Sequence, residues 1–254
     1  MLKASVCIDA VFEGQPLAEA IPQVAECGYG AIEFWCWWEK DLLQLIELCR
    51  KHDLQVAACC TRFVSLVDPT QRTAYLQGLK ESILAAQQLG CKTLISQVGD
   101  ALLGVARQEQ HACLVQGLRE AADLLLGTGV TLAIEPLNEL VDHAGYYLVR
   151  SDEAFQIIDE VQSPNVGVTF DIYHQQISEG HLIHRITQNI DKIAHFHAAG
   201  NPGRHELTLG EIDYRQVFAA IAQSDYAGYI GLEYWPKQPP QLGLREVAGW
   251  NVWG

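Results

Sequence analysis

Hydrophobic and polar positions alternate along the 254-residue chain in two rhythms. Short apolar runs of strand length occur at 4–10 (ASVCIDA), 30–35 (GAIEFW), 54–60 (LQVAACC), 91–97 (CKTLISQ), 130–136 (VTLAIEP), 165–171 (NVGVTFD), 192–198 (KIAHFHA) and 228–234 (GYIGLEY). Between them lie longer stretches with apolar residues three and four apart, as on one face of a helix. Examples are 40–52 (KDLLQLIELCRKH), 73–90 (TAYLQGLKESILAAQQLG) and 114–129 (LVQGLREAADLLLGTG), each closing near Gly or a basic residue. Regular β-then-α alternation demands parallel strands joined by crossovers. Eight such units in about 250 residues predict an α/β chain folded as a single (β/α)8 TIM barrel, one domain over 1–254. A doubly wound open sheet is the alternative, but no GxGxxG follows the first run, and no compositional break marks a linker.

In such a barrel the chemistry sits where strands end and βα-loops begin. Four consecutive runs of the second half place a polar side chain at that point: Glu135 (AIEPLN), Asp171 (VTFDIYH), His197 (AHFHAAG) and Glu233 (GLEYWP), with gaps of 36, 26 and 36 residues. Each follows an apolar strand body. Each acid taken alone reads equally well as a cap for the helix after its strand; four in register predict convergence on one spot. Three carboxylates at one barrel mouth drive each other's pKa up unless a cation joins them. Three oxygen ligands and one imidazole favour a divalent metal ion, Mn2+, Mg2+ or Co2+, over a thiolate zinc site.

Neighbouring residues extend the cluster. His174 lies three positions beyond Asp171, and His195 shares strand parity with His197 and should point inward one layer deeper. Arg204 and His205 lie on a Gly/Pro turn (GNPGRHEL) above the metal, where an arginine can grip a carboxylate in bidentate fashion. Glu33 ends the second run, and the same-parity Trp35 and Trp37 are candidates for a pocket wall. Ordinary readings stand beside these: a surface histidine, a core histidine, a loop arginine, packing aromatics.

Charge narrows the partners. With 17 Lys+Arg against 31 Asp+Glu the net charge is −14, which argues against a nucleic-acid partner. No apolar run is long enough for a membrane span, and Asp9 comes too early for a secretory signal. All eight cysteines fall in the first half without a CxxC pair, as expected of buried free thiols in a reducing cytoplasm. The expected partner is a small hydroxy-keto acid or ketose; the sequence leaves a homo-oligomer open.

The motifs EPLN, DIYHQQ, HFHAAGNPGRHEL with GEIDY, and GLEYWP resemble the hydroxypyruvate isomerase family within the xylose-isomerase-like TIM barrels. The similarity runs over most of the chain and is densest from 130 to 236. Ketose 3-epimerases of the tagatose/psicose type are more distant relatives. The resemblance implies that Glu135 and Glu233 ligate metal and form the acid/base pair, that Asp171 and His197 complete the ligand set, and that His174 and Arg204 contact substrate oxygens. His195, Glu33 and Trp35 are further candidates for substrate binding. Two departures bear on specificity: His197 stands where hydroxypyruvate isomerases often carry Gln, and Val141 stands where the sugar epimerases carry a further glutamate. The implied reaction is aldose–ketose isomerisation of a short hydroxy-keto acid through an enediolate, hydroxypyruvate to tartronate semialdehyde or a 2-oxo-tetronate. Epimerisation of neutral keto sugars is the alternative. A nuclease of the endonuclease IV type and a non-enzymatic sugar-binding barrel are more remote.

Overall fold

A computed structural model of the chain describes residues 1–253. Eight parallel strands form a closed barrel in sequence order: β1 (Lys3–Cys7), β2 (Ala31–Phe34), β3 (Gln55–Cys60), β4 (Thr93–Ser96), β5 (Thr131–Ile134), β6 (Val166–Asp171), β7 (Ile193–Ala198) and β8 (Tyr229–Leu232). All eight predicted runs are strands. Closure comes from β1 pairing with β8, Ser5 opposite Gly231 and Val6 opposite Leu232, so the open-sheet alternative does not hold.

The helices fill the predicted intervals with shifted ends. Leu42–Lys51 is capped by Asp41, whose side chain accepts from the Gln44 amide. Arg72–Leu89 stops at Gly90, which takes the left-handed conformation (φ 66°) that ends helices without a Cβ penalty. The helix expected at 114–129 runs from Arg107 to Leu125; its first turns are too polar for an apolar stripe to announce them. The first strand ends at Cys7, and Ile8–Val11 forms a short helix instead of continuing it.

Alternation along each strand divides the side chains between two environments. Ile32, Leu94, Leu132, Val168, Phe196 and Ile230 are fully buried in the large core cluster, and burial of each such side chain contributes about 1.5–3 kcal/mol. A smaller, separate apolar cluster of Ala58, Cys60 and Ile95, with Trp35 against it, belongs to β3 and β4. The buried polar side chains Ser5, Glu33, Glu135, Thr169, Asp171, His195, His197 and Glu233 come from β1, β2 and β5 to β8 or just beyond them. The barrel interior is therefore apolar on one side and ionisable on the other. No helix among the described residues is long and apolar enough to cross a membrane.

Candidate active site

The ionisable side has two layers. In the lower one Glu33 accepts from Ser5 Oγ (2.6 Å) and pairs with His195 Nε2 (2.9 Å) through the same oxygen, Oε2. Its other oxygen lies 3.1 Å from His197 Nε2. Burial pushes Glu33 up, but the imidazoles of His195 and His197 outweigh it and hold the carboxyl well below the usual range. Room for this carboxylate comes from β8: a Cβ on Gly231 would overlap the Glu33 carboxyl group. Glu33 and His195, expected among the substrate contacts, are thus placed beneath the upper layer, both nearly inaccessible.

The upper layer gathers the four predicted strand ends. Asp171 and His197 face each other in register on β6 and β7. His197 Nδ1 lies 2.7 Å from Glu135 Oε1 and 3.6 Å from Glu233 Oε2. Asp171 does cap the following helix, but with one oxygen only: Oδ1 accepts from the Tyr173 and His174 amides (2.8 and 3.1 Å), while Oδ2 lies 3.6 Å from Arg204 Nη2 and 3.5 Å from His174 Nε2. Glu233 is held at both oxygens. The Trp35 indole N–H donates to Oε1 (2.6 Å), and Arg204 Nη2 pairs with Oε2. Trp35 stacks obliquely on Trp235 (5.9 Å). Trp37 is not a pocket wall: β2 ends at Phe34, and the turn that follows sends the Trp37 indole to Ser82 Oγ.

Burial sets the electrostatics of this layer. It pushes Asp171 up to about 7 despite the opposing charges of Arg204 and His197. It also disfavours a charged His197, but Glu233, Glu135 and Glu33 outweigh it and lift the imidazole well above its ordinary value. For Glu233 the burial is outweighed by His197 and Arg204, and the carboxyl stays below its usual range. His174 is fully buried and pushed well down by desolvation, with Arg204 adding to the effect. Its Nδ1 accepts from the Asn138 side-chain amide (2.7 Å), so the ring proton sits on Nε2, which has no hydrogen-bond partner.

The Arg204 side chain is only 13% exposed rather than loose on a loop. Its guanidinium lies between the rings of Tyr173 (5.3 Å) and Trp235 (5.1 Å), and its Nε has no partner. Two loops are stitched together to hold it. The Trp235 amide donates to the Arg204 carbonyl (2.8 Å), His205 Nδ1 pairs with the Trp235 carbonyl (2.7 Å), and buried Glu206 accepts from the Lys237 and Gln238 amides (3.0 and 3.3 Å). Sequence reasoning missed Asp9, which accepts from the Trp35 amide (2.8 Å) and pairs with Lys40 (2.6 Å), and Tyr146, whose hydroxyl donates to the Glu135 carbonyl (3.0 Å). Neither stands at a strand end, and no motif marks them.

The donor set fits a divalent cation. Ligand atoms of Glu135, Asp171 and His197 lie within 4.8 Å of one another, and a cation there relieves the strain that burial places on Asp171. Such a cation would compete with the proton that His197 Nδ1 shares with Glu135. Glu233, the fourth expected ligand, adjoins this trio but is turned toward Arg204 and Trp35. The ligand atoms of a second trio, Glu33, His195 and His197, lie equally close together, but Ser5 and His195 already occupy one Glu33 oxygen.

Residues 21–251 match the family model described as xylose isomerase-like TIM barrel. The chain belongs to that family. This xylose isomerase-like barrel is 32% identical to the hydroxypyruvate isomerase of Escherichia coli K12 over 254 aligned positions, covering 96% of this chain and 98% of the relative. It is 38% identical to the 2-oxo-tetronate isomerase of Cupriavidus necator over 144 positions, 57% of this chain and 54% of that one. Among solved structures it is similar to an AP endonuclease, family 2, from Brucella melitensis, at a TM-score of 0.93 and 27% identity, with 98% and 99% of the two chains covered. The resemblance carried by the strand-end motifs is borne out. All eight cysteines of this family member are free, six of them buried.

Proposed function

We propose that this barrel isomerises a short 2-oxo acid with a hydroxyl on the adjacent carbon: hydroxypyruvate to tartronate semialdehyde, or a 2-oxo-tetronate to its 3-oxo isomer. The observation that carries the reading is the convergence of Glu135, Asp171, His197 and Glu233 beside the buried Arg204. The names of the relatives from E. coli and C. necator support it.

Glu135, Asp171 and His197, with Glu233 at the edge, would hold a divalent cation such as Mn2+, Mg2+ or Co2+. When bound it supplies Lewis acidity toward the substrate carbonyl and hydroxyl oxygens. The chain's own groups do the rest. One glutamate of the Glu135/Glu233 pair takes a proton from C3, and the C–H electron pair becomes the C2–C3 double bond of an enediolate. The other carboxyl delivers a proton to C2, while the hydroxyl proton passes from O3 to O2; no electron leaves the molecule and no redox cofactor is needed. His174 Nε2–H, buried and without a hydrogen-bond partner, would donate to a substrate oxygen. Arg204, whose Nε–H has no partner, would take the substrate carboxylate. Trp35 fixes the Glu233 carboxyl plane, and Glu33 orients His197 from below, as the outer partner of a ligating imidazole does.

Two other readings weigh less. Neutral keto-sugar epimerisation has His197 in its favour, but Val141, where the resemblance places an epimerase glutamate, is 66% exposed and carries no acid. Nuclease chemistry is opposed by the charge of −14. The free, mostly buried thiols suit a reducing compartment, and the cytoplasm is the proposed location. The test is turnover of hydroxypyruvate, a 2-oxo-tetronate and a neutral ketopentose by chelated protein, with and without Mn2+, Mg2+ or Co2+. Metal-restored isomerisation of the acids is expected. Full turnover by demonstrably metal-free protein, or activity on the ketopentose alone, overturns the reading.

A further inference from the structure

A cavity of about 360 Å³ opens beside the site, between the loops that follow β3, β4 and β5. Its polar lining comes from Ser65, Gln71, Gln97, Asp100, His143 and Tyr146, with Phe63 among the apolar residues. Two of these residues also border the site. The Tyr146 hydroxyl bonds to the Glu135 carbonyl and accepts from the Val98 amide (2.7 Å). The His143 ring packs on His174 at 5.2 Å.

The lining chemistry is selective. No lysine or arginine contributes to it, so a carboxylate gains nothing there. Burial keeps His143 below the ordinary imidazole range, and a neutral ring offers one donor and one acceptor. The Gln97 amide adds two donors and an acceptor, and the Asp100 carboxylate adds acceptors. Mixed donors and acceptors without cationic charge suit hydroxyl groups.

Topology supplies the direction. In a closed ring of eight strands β3 and β4 lie across the barrel from β7 and β8, the strands whose loops carry Arg204 and Trp235. A substrate with its carboxylate toward Arg204 and its reacting carbons over the acid cluster therefore turns its far end toward this cavity. In hydroxypyruvate that end is a hydrogen on C3. In a 2-oxo-tetronate it is a hydroxymethyl group, only slightly larger than a water molecule of about 30 Å³, and the cavity has room for more.

Resting on the isomerase reading above, we infer that this cavity is the subsite for a hydroxylated chain on C3, which makes 2-oxo acids of four to six carbons the preferred substrates over hydroxypyruvate. Gln97 and His143 are its specificity-determining residues.

The experiment measures kcat/KM for hydroxypyruvate and for a 2-oxo-tetronate in wild type, in Gln97→Trp, which fills the cavity, and in Gln97→Ala, which removes the amide and keeps the fold if the larger residue does not. The four-carbon acid is expected to lead by at least roughly 10-fold in wild type, the scale of one or two hydrogen bonds. The ratio between the two acids is expected to fall by about 10-fold or more in either folded variant. A wild-type preference for hydroxypyruvate, or a ratio unmoved by both substitutions, overturns the subsite and leaves the isomerase reading intact. Turnover of neither acid overturns that reading and the subsite with it.

Discussion

At the scale of single residues, Asp171 divides one carboxylate between a helix cap and the site. Its Oδ1 is satisfied by two amides, while Oδ2 faces the acid cluster and Arg204. A carboxyl whose pKa is about 7 when folded, against about 3.9 when unfolded, binds its proton more tightly in the native state. Its contribution to stability is therefore complete below about pH 4 and lost as pH rises through 7. Asn caps helices as well as Asp does, so Asp171→Asn isolates the charge. In metal-free protein the variant should gain on wild type as pH rises from 4 to 8, by an order of 1–3 kcal/mol at the upper end. Urea unfolding of both proteins at pH 5 and pH 8 checks this, and an advantage independent of pH rules the titration out. Glu233→Gln is nearly isosteric and should fold, yet lose at least roughly 100-fold in kcat, the scale of a general acid or base; wild-type turnover would reduce Glu233 to a partner of Arg204. Arg204→Ala separates two duties. If Arg204 grips the substrate carboxylate, kcat/KM falls by roughly 10- to 100-fold for an acidic substrate and much less for a neutral ketose. Equal losses for both would mean that it serves only to balance Glu233.

At the scale of elements, the strand pattern was legible because strands buried on both faces leave near-continuous apolar runs, and polar strand ends stand out against them. Glu135, Asp171, His197 and Glu233 were readable for that reason, and spacing alone brought them together. Depth was not legible. Parity placed Glu33 and His195 inside the barrel, but only the register of β1, β2, β7 and β8 shows that they form a floor beneath His197. Partners across the barrel were not legible either: the Trp35–Glu233 hydrogen bond joins residues 198 positions apart, and Asp9 acts through a main-chain amide that no sequence motif records. Gly231 shows how an element accommodates such a floor. It lies opposite Ser5 and His197 on the neighbouring strands, and its missing side chain leaves the space Glu33 fills. Gly231→Ala should force that carboxyl from Ser5 and His195 and destabilise the fold by about 1–3 kcal/mol, as overpacking does. Gly231→Ala combined with Glu33→Ala should recover part of the loss, because the clash is then gone. Chemical denaturation of the single and double variants reads the coupling, and a double variant no better than additive would place the cost elsewhere.

At the scale of the whole molecule, the proposed ligands come from the ends of three successive strands, β5, β6 and β7, with Glu233 following from β8. A cation held by them ties together chain segments from one half of the barrel, and those positions exist together only when these strands are paired in the fold. Binding that the unfolded chain cannot match adds RT ln(1 + [L]/Kd) to stability, about 2.7 kcal/mol at a hundredfold excess over Kd. For a chain of this size that corresponds to a rise in Tm of roughly 5–10 °C. The rise should depend on pH in a fixed direction. His197 is held in its charged form by the surrounding glutamates, and Asp171 retains its proton up to about 7. Both must give up protons before they can ligate a cation, so loading competes with protonation. The Tm increment from Mn2+ at constant concentration should therefore be largest near pH 8 and shrink as pH falls below 7. It should be abolished in Glu135→Ala and in His197→Ala, two variants that each remove one donor of the trio. Thermal unfolding with and without Mn2+ at pH 6, 7 and 8 measures the effect without recourse to activity. An increment of equal size at all three values, or one that survives in both variants, would place the cation outside the Glu135, Asp171 and His197 cluster.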